Sequence, residues 1–290
     1  MKVFDCITYF DEPLLYDIRL NILSKHVDNF VVSEAKFTHS GEEKKIKFNK
    51  NLYPKFKDRI THLIVENEPN DLRSKNNGNK RLNSIKRIAH QRDAIKKQFN
   101  KNNSEDWIIY SDSDEIPNLE NINFRNKKSK VIFFKQNLFY YKFNLTLPSV
   151  PWFGSRAIKF KNLNTISDLR NLKPKKYNWW RLDTIFKKNK IKSVEIIDKG
   201  GWHFSDLRSA EEIFRKKQND EHHDEFDFNR IDQKQINDMV QNRYINYDHS
   251  IDKANILQKW NNKIYLEKID SDILPRHIID NQIKYKEWFE

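Results

Sequence analysis

The sequence is poor in glycine and in sulfur. It holds five glycines, one cysteine and two methionines in 290 residues. With Gly41, Gly78, Gly154, Gly200 and Gly201 as the full set, no GxGxxG and no GxxxxGK[ST] can be written, which excludes a standard dinucleotide fingerprint and a P-loop. Cys6 alone permits no internal disulfide and no cysteine-based zinc site, which fits a reducing compartment. No apolar run approaches the roughly 20 residues of a membrane helix, and the start, MKVFDCITYFDEP, lacks the apolar core of a signal peptide. The expectation is a cytoplasmic protein that touches a membrane, if at all, peripherally on an anionic inner face.

What is present is charge and large aromatics. Lys and Arg number 54 against 41 Asp and Glu, a net charge of +13. Aromatics make up 13% of a chain that is only 37% hydrophobic, so the core is built from few, large side chains. That content argues for ordered globular structure. The charge points towards a polyanionic partner: nucleic acid, a phosphorylated substrate or an acidic surface.

The order of elements predicts an α/β fold. Residues 2–10 and 28–35 read as strands. Between them Asp11-Glu12-Pro13 is a helix-start signal, with Asp11 as the cap and Leu14, Leu15, Ile18 and Ile22 at helical spacing. A third strand is expected at 60–66, a loop over 67–83, a helix from Ser84 to Phe99 and a strong apolar strand at 106–110. A strand or hairpin follows over 131–141, and the chain beyond 210 is charged and mainly helical. Alternation of this kind gives a sheet with helices on both faces, and ligands bind beyond the carboxyl ends of its strands.

Five clusters could carry chemistry. Asp112-Ser113-Asp114-Glu115 follows the strand WIIY, so its carboxylates emerge at the ligand-binding edge. Hard oxygens there suit Mg²⁺ or Mn²⁺ carrying phosphate; a solvated acidic turn is the plainer alternative. Arg92 shares a stripe with Ile85, Ile88, Ile95 and Phe99, and either snorkels to the helix edge or is aimed at an anion. His203, in Gly200-Gly201-Trp202-His203-Phe204, is a core histidine or a ligand and acid/base group. Trp152 and Arg156 in PWFGSR form a sugar-stacking surface or a packed aromatic turn. The run Glu221-His222-His223-Asp224-Glu225 is metal-like in composition, but adjacent histidines diverge on a helix, which favours a solvated charged patch.

Taken in order, the stretches DCITYFDEPLLYDIRLNIL (5–23), VDNFVVSEAKFTHSG (27–41), QRDAI (91–95), WIIYSDSDEIP (107–117), PWFGSR (151–156) and GGWHFSDL (200–207) resemble glycosyltransferase family 17, the β-1,4-mannosyl-glycoprotein N-acetylglucosaminyltransferase-like enzymes. The resemblance implies a GT-A-like nucleotide-sugar-binding fold with a mixed central sheet over residues 1–215 and a helical extension over 216–290. It implies an inverting transfer from a nucleotide-diphosphate sugar, UDP-N-acetylglucosamine above all, to a glycan hydroxyl. It implies a Mn²⁺ or Mg²⁺ ion on Asp112, Asp114 and His203, donor contacts from Glu34, Arg92 and Asp112, and acceptor contacts from Trp152, Arg156 and Trp202. Glu115 and Glu211 are the candidate catalytic bases it suggests, with Asp183 a third.

Two departures stand out: QRD replaces the family's QRN, placing Asp93 near an expected anion site, and Leu207-Arg208-Ser209 replaces glycines. The anchor and stem of the animal enzymes are missing, which shifts the expected acceptor from an N-glycan to a bacterial-type or viral surface glycan. Two other classes remain as alternatives: a basic nucleic-acid-binding protein, against which the dispersed charge speaks, and a non-catalytic glycan-binding relative.

Overall fold

The computed structural model describes residues 1–74, 79–99, 103–148, 150–175, 191, 193–219, 231–249, 260 and 262–290. Gly78, Asp183 and the 221–225 patch lie outside these residues.

The first half lays down a parallel sheet. Strands β1 (Val3–Tyr9), β2 (Asn29–Ala35) and β3 (Ile60–Val65) pair in parallel, and β4 (Trp107–Asp112) joins on the other side of β1. In β4 the residues Trp107 to Ser111 are all buried, as a central strand covered on both faces requires. Alternation sorts its side chains: Trp107 and Ile109 pack on one face with Leu15 and Ile18, while Ile108 and Tyr110 pack on the other with Ile95 and Phe99.

Strand β5 (Glu115–Pro117) follows the acidic turn. The apolar run 131–141 then divides into β6 (Val131–Phe134) and β7 (Asn137–Tyr140), which lie in different sheets. The chain crosses between sheets at Lys135 and Gln136, a step that periodicity could not reveal. Strands β8 (Leu145–Thr146), β9 (Arg156–Lys159), β10 (Val194–Ile197) and β11 (Gly201–Ser205) complete the core. The main sheet has the order β10-β6-β9-β4-β1-β2-β3, mixed because β9 runs antiparallel to both β4 and β6.

Strand β14 (Glu267–Lys268) lies at the edge of the second sheet, whose order is β14-β8-β7-β11-β5, and β12 (Tyr244–Ile245) and β13 (Ile264–Tyr265) pair antiparallel in a separate two-stranded sheet. Gly201 in β11 has φ +134°, and a Cβ there would stand 2.1 Å from the Ile116 carbonyl oxygen of the neighbouring strand. Only glycine allows β11 to lie against β5.

Helices α1 (Pro13–Leu23), α2 (Lys80–Ala94), α3 (Ile166–Asn171), α4 (Ala210–Asn219), α5 (Gln233–Gln241) and α6 (Arg276–Asp280) flank the sheets. Glu12, not Asp11, occupies the cap position of α1; Asp11 instead faces Lys47 and Arg215. Helix α2 starts four residues before Ser84 and gives way to a 3₁₀ turn at Ile95. Its expected apolar stripe is displaced. Ile85 faces solvent, and the buried face carries Asn83, Ser84, Arg87, Ile88 and Gln91. These polar groups serve the backbone: Gln91 Nε2 donates to the Ser33 carbonyl and Ser33 Oγ donates to the Gln91 carbonyl, both at 2.9 Å.

The expected boundary at 215/216 falls inside α4. The C-terminal residues are sewn into the second sheet, with the Phe143 amide donating to the Trp288 carbonyl at 2.8 Å and Tyr285 edge-on to Phe143. Among the described residues, no helix is long and apolar enough to cross a membrane.

Beneath the sheets lies a buried ion pair. Arg19 of α1 donates from Nε and Nη2 to the two Asp5 carboxylate oxygens at 2.6 Å each, and from Nη1 to the Glu115 carbonyl at 2.5 Å. Both side chains are buried almost completely. Arg19→Met leaves the Asp5 charge unpaired and should cost about 3–5 kcal/mol in urea unfolding, while Asp5→Leu/Arg19→Met should recover part of it. A loss below about 1 kcal/mol would contradict this role.

Candidate active site

The carboxyl ends of β1, β2 and β4 open into a cavity of about 430 Å³. Thr8 to Phe10 lie on one wall, Phe37 to His39 on another, and the turn Asp112 to Glu115 forms the floor. Trp152, Arg170, His203 and Lys216 close it from the second sheet and the helices.

Glu115 organises the floor. Its side chain is fully buried, yet four groups donate to its carboxylate: Arg170 Nη2 (2.9 Å) and Trp152 Nε1 (2.8 Å) to Oε1, Arg170 Nη1 (3.0 Å) and the Asp112 amide (3.0 Å) to Oε2. Gly154 makes room for it, since a Cβ there would stand 2.3 Å from the Glu115 carboxyl carbon. The same Arg170 donates to Asp112 Oδ2 at 2.6 Å, and Arg92 Nη2 and Tyr110 OH donate to Asp112 Oδ1 at 3.1 and 3.0 Å. Burial alone would resist ionisation of Asp112, but Arg170 and Arg92 outweigh it and hold the carboxyl well below the usual range.

Asp114 points the other way. Its Oδ1 lies 3.4 Å from His203 Nε2 and its Oδ2 accepts from Lys216 Nζ at 3.2 Å. Burial opposes its charge as well, and Lys216 and His203 overcome it, so this carboxyl too is held far below its ordinary value. His203 packs its ring against Trp152 at 4.5 Å, and its Nδ1 is buried without a hydrogen-bond partner.

With this geometry in place, comparison with family models is decisive: the model described as "Glycosyltransferase family 17" matches residues 1–288. The chain belongs to glycosyltransferase family 17. It is therefore a glycosyltransferase, and the alternative of a nucleic-acid-binding protein gives way. No curated protein matches the chain. Among solved structures, HddC from Yersinia pseudotuberculosis is similar at 11% identity, and HddC from the same organism complexed with GMP-PN at 12%. Each similarity covers 68% of this chain and 90% of the other, with a TM-score of 0.31.

The glycosyltransferase cavity gathers some of the expected residues and not others. Arg92, Asp112, Asp114, Glu115, Trp152 and His203 all line it. Glu34 lies behind it, its carboxylate accepting from Lys44 Nζ, the Lys47 amide (2.9 Å) and the Phe48 amide (3.0 Å); Lys44 is the group it presents to the cavity. Each Glu115 oxygen already accepts two hydrogen bonds, which suits an anchor, and Glu211 is exposed on α4, outside the cavity lining. Trp202 turns into the core, with Nε1 donating to the Ile273 carbonyl at 2.5 Å. Arg156 is buried over the Phe133 ring with Nε and Nη1 unpartnered, and burial pushes its guanidinium down to about 9.

Asp93 does not face an anion site; its Oδ1 accepts from the Ser167 amide at 2.8 Å at the start of α3, the helix that carries Arg170. Arg170, Lys216 and Glu12 were not singled out from sequence. Arg170 lies in SDLRN, where no period or spacing marks it, and the acidic departure at Asp93 was the only nearby signal.

A divalent cation fits part of the expected set. The oxygen of Asp114 and the nitrogen of His203 stand at a separation that two ligands of one small cation allow, and both face the cavity. Asp112 does not join them: its oxygens are taken by two guanidinium groups and a phenol. Among the described residues no three His, Cys, Asp or Glu side chains converge.

Arg170→Gln would remove the cation that Asp112 and Glu115 share, leaving Glu115 without a basic partner, and should cost about 3–5 kcal/mol in urea unfolding, with activity lost in parallel; a near-neutral result would show that the floor is held by other groups. The depressed carboxyls also set an acid limit. A group whose native pKa lies below its unfolded value stabilises fully above the unfolded value of about 3.9 and loses that contribution as the pH falls through the native one. The stability gap between wild type and Asp114→Asn should stay constant from about pH 7 to 5 and close below about pH 4. A gap that widens in acid would contradict the sign.

Proposed function

We propose that this glycosyltransferase moves a sugar, with N-acetylglucosamine the first candidate, from a nucleotide-diphosphate sugar to a glycan hydroxyl on a GT-A-like fold. One observation carries the reading. The D-x-D turn at the end of a central strand forms the floor of a cavity whose walls also present Lys44, Arg92, Arg170 and Lys216. Carboxylates for a cation beside cations for phosphate are what a sugar-nucleotide diphosphate needs. Phe10 and Phe37 add aromatic surface suited to a nucleobase.

Within this reading Asp114 and His203 hold Mn²⁺ or Mg²⁺, which when bound supplies Lewis-acid stabilisation of the leaving diphosphate. Arg92 contacts the donor phosphates, and Asp112, pinned by Arg92 and Arg170, orients them. Trp152 has its Nε1 fixed by Glu115 and one face packed on His203, which makes it a rigid platform for an acceptor sugar. Transfer on this reading inverts the anomeric carbon, which requires a base for the acceptor hydroxyl.

The test follows UDP release from UDP-N-acetylglucosamine with Mn²⁺, preceded by a thermal-shift panel of UDP-, GDP-, CMP- and dTDP-sugars. At least one nucleotide sugar should raise the midpoint, and Asp114→Ala should lower turnover by about a hundredfold or more. Full turnover by Asp114→Ala would sink the metal assignment, and a panel without any binder would sink the donor class.

A further inference from the structure

Helix α4 forms one wall of the cavity; it packs on the core through Ile213, Ala210 and Phe214, and polar contacts hold the side that faces the cavity. Of its ten residues only Ile213 is buried. Lys216 Nζ lies 3.2 Å from Asp114 Oδ2 and 3.7 Å from Asp206 Oδ1. Arg215 Nη2 lies 3.0 Å from Asp11 Oδ2, and Ser40 Oγ donates to Asn219 Oδ1 at 3.2 Å. Lys217, the next residue, faces Asp206 at 3.2 Å. Two adjacent ammonium groups therefore share Asp206, but Lys216 is the one that reaches the second aspartate of the D-x-D.

The carboxylate of Asp114 is thus divided between two partners. One oxygen faces His203 and the other faces the Lys216 ammonium. A divalent cation taken up by Asp114 and His203 would come to rest beside that ammonium in a recess where Asp114 is only 14% exposed and Lys216 21%. Like charges at such short range repel strongly where water does not screen them. The metal and the ammonium draw on the same carboxylate, and the flexible four-carbon stem of Lys216 lets the ammonium withdraw while Ile213 stays packed.

We infer that Lys216 is a built-in counter-ion of Asp114 that a divalent cation has to displace. It holds the second aspartate ionised and oriented before the metal arrives, and it lowers the affinity of the cavity for metal alone. Coupling of this kind is reciprocal, and its usual size is 5- to 150-fold in affinity. The inference rests on the proposal that Asp114 and His203 are metal ligands.

The test is Mn²⁺ binding to the full chain, measured by isothermal titration calorimetry without nucleotide. Lys216→Gln should bind Mn²⁺ about tenfold more tightly than wild type. Lys216→Arg, which keeps the charge, should stay near the wild-type affinity, and Lys217→Gln should change it by less than about twofold. Should Lys216→Gln not fold, Lys216→Met replaces it in the same comparison. Wild type and Lys216→Gln binding Mn²⁺ equally would overturn the inference while leaving the metal assignment intact, as would equal tightening in Lys216→Arg. Mn²⁺ binding that survives Asp114→Asn unchanged, or no binding by any variant up to millimolar metal, would overturn both.

Discussion

The structure turns on a buried carboxylate. Glu115 stands where the main sheet ends and the second sheet begins, with its charge removed from water and answered by Arg170, Trp152 and a backbone amide. A carboxylate in that position is tolerated only when its oxygens are filled. Filling them fixes the rest: the PWFG segment must bring Trp152 and a side-chain-free Gly154 against it, α3 must deliver Arg170, and Arg19 must hold its carbonyl from below. The D-x-D on either side of this anchor has little freedom left.

The cavity of this glycosyltransferase is consequently an arrangement of matched charges. Asp112 is neutralised by Arg92 and Arg170, Asp114 by Lys216, and Glu12 by Arg208, whose Nη2 donates at 2.6 Å. An anionic donor entering here meets cations that already have partners, and binding is an exchange of ion pairs rather than the filling of an empty charged pocket. On the proposed reading, such exchange would reward a ligand that brings its own counter-charge, as a metal-bound diphosphate would. The two aspartates of the motif are correspondingly unlike. Asp112 faces arginines that cannot lose their charge, whereas Asp114 faces a histidine and a lysine.

Much of the frame was legible beforehand because it is written in local pattern. The strands at β1, β2, β3 and β4, and the emergence of the acidic turn after WIIY, follow from apolar runs and their punctuation. The unread parts share one cause: they depend on partners far away in sequence. The split of 131–141 between two sheets is decided by which strands receive each half. The polar buried face of α2 exists because Ser33 offers a carbonyl and a hydroxyl to Gln91. Trp202 and Glu211 lay in the right segments but face core and solvent, since a motif names a segment and not a side-chain direction.

By itself the sequence determined the mixed α/β frame, the family and the acidic turn at the end of a central strand, because periodicity, spacing and ordered motifs are properties of the chain. Tertiary structure alone decided that Glu115 is an anchor, that Arg170 from 55 residues away completes the floor, and that Lys216 from 102 residues away shares Asp114 with His203. The physical reason is that a buried charge is defined by what surrounds it. The surroundings of Glu115 and Asp114 come from α3, α4 and β11, and only folding brings those together.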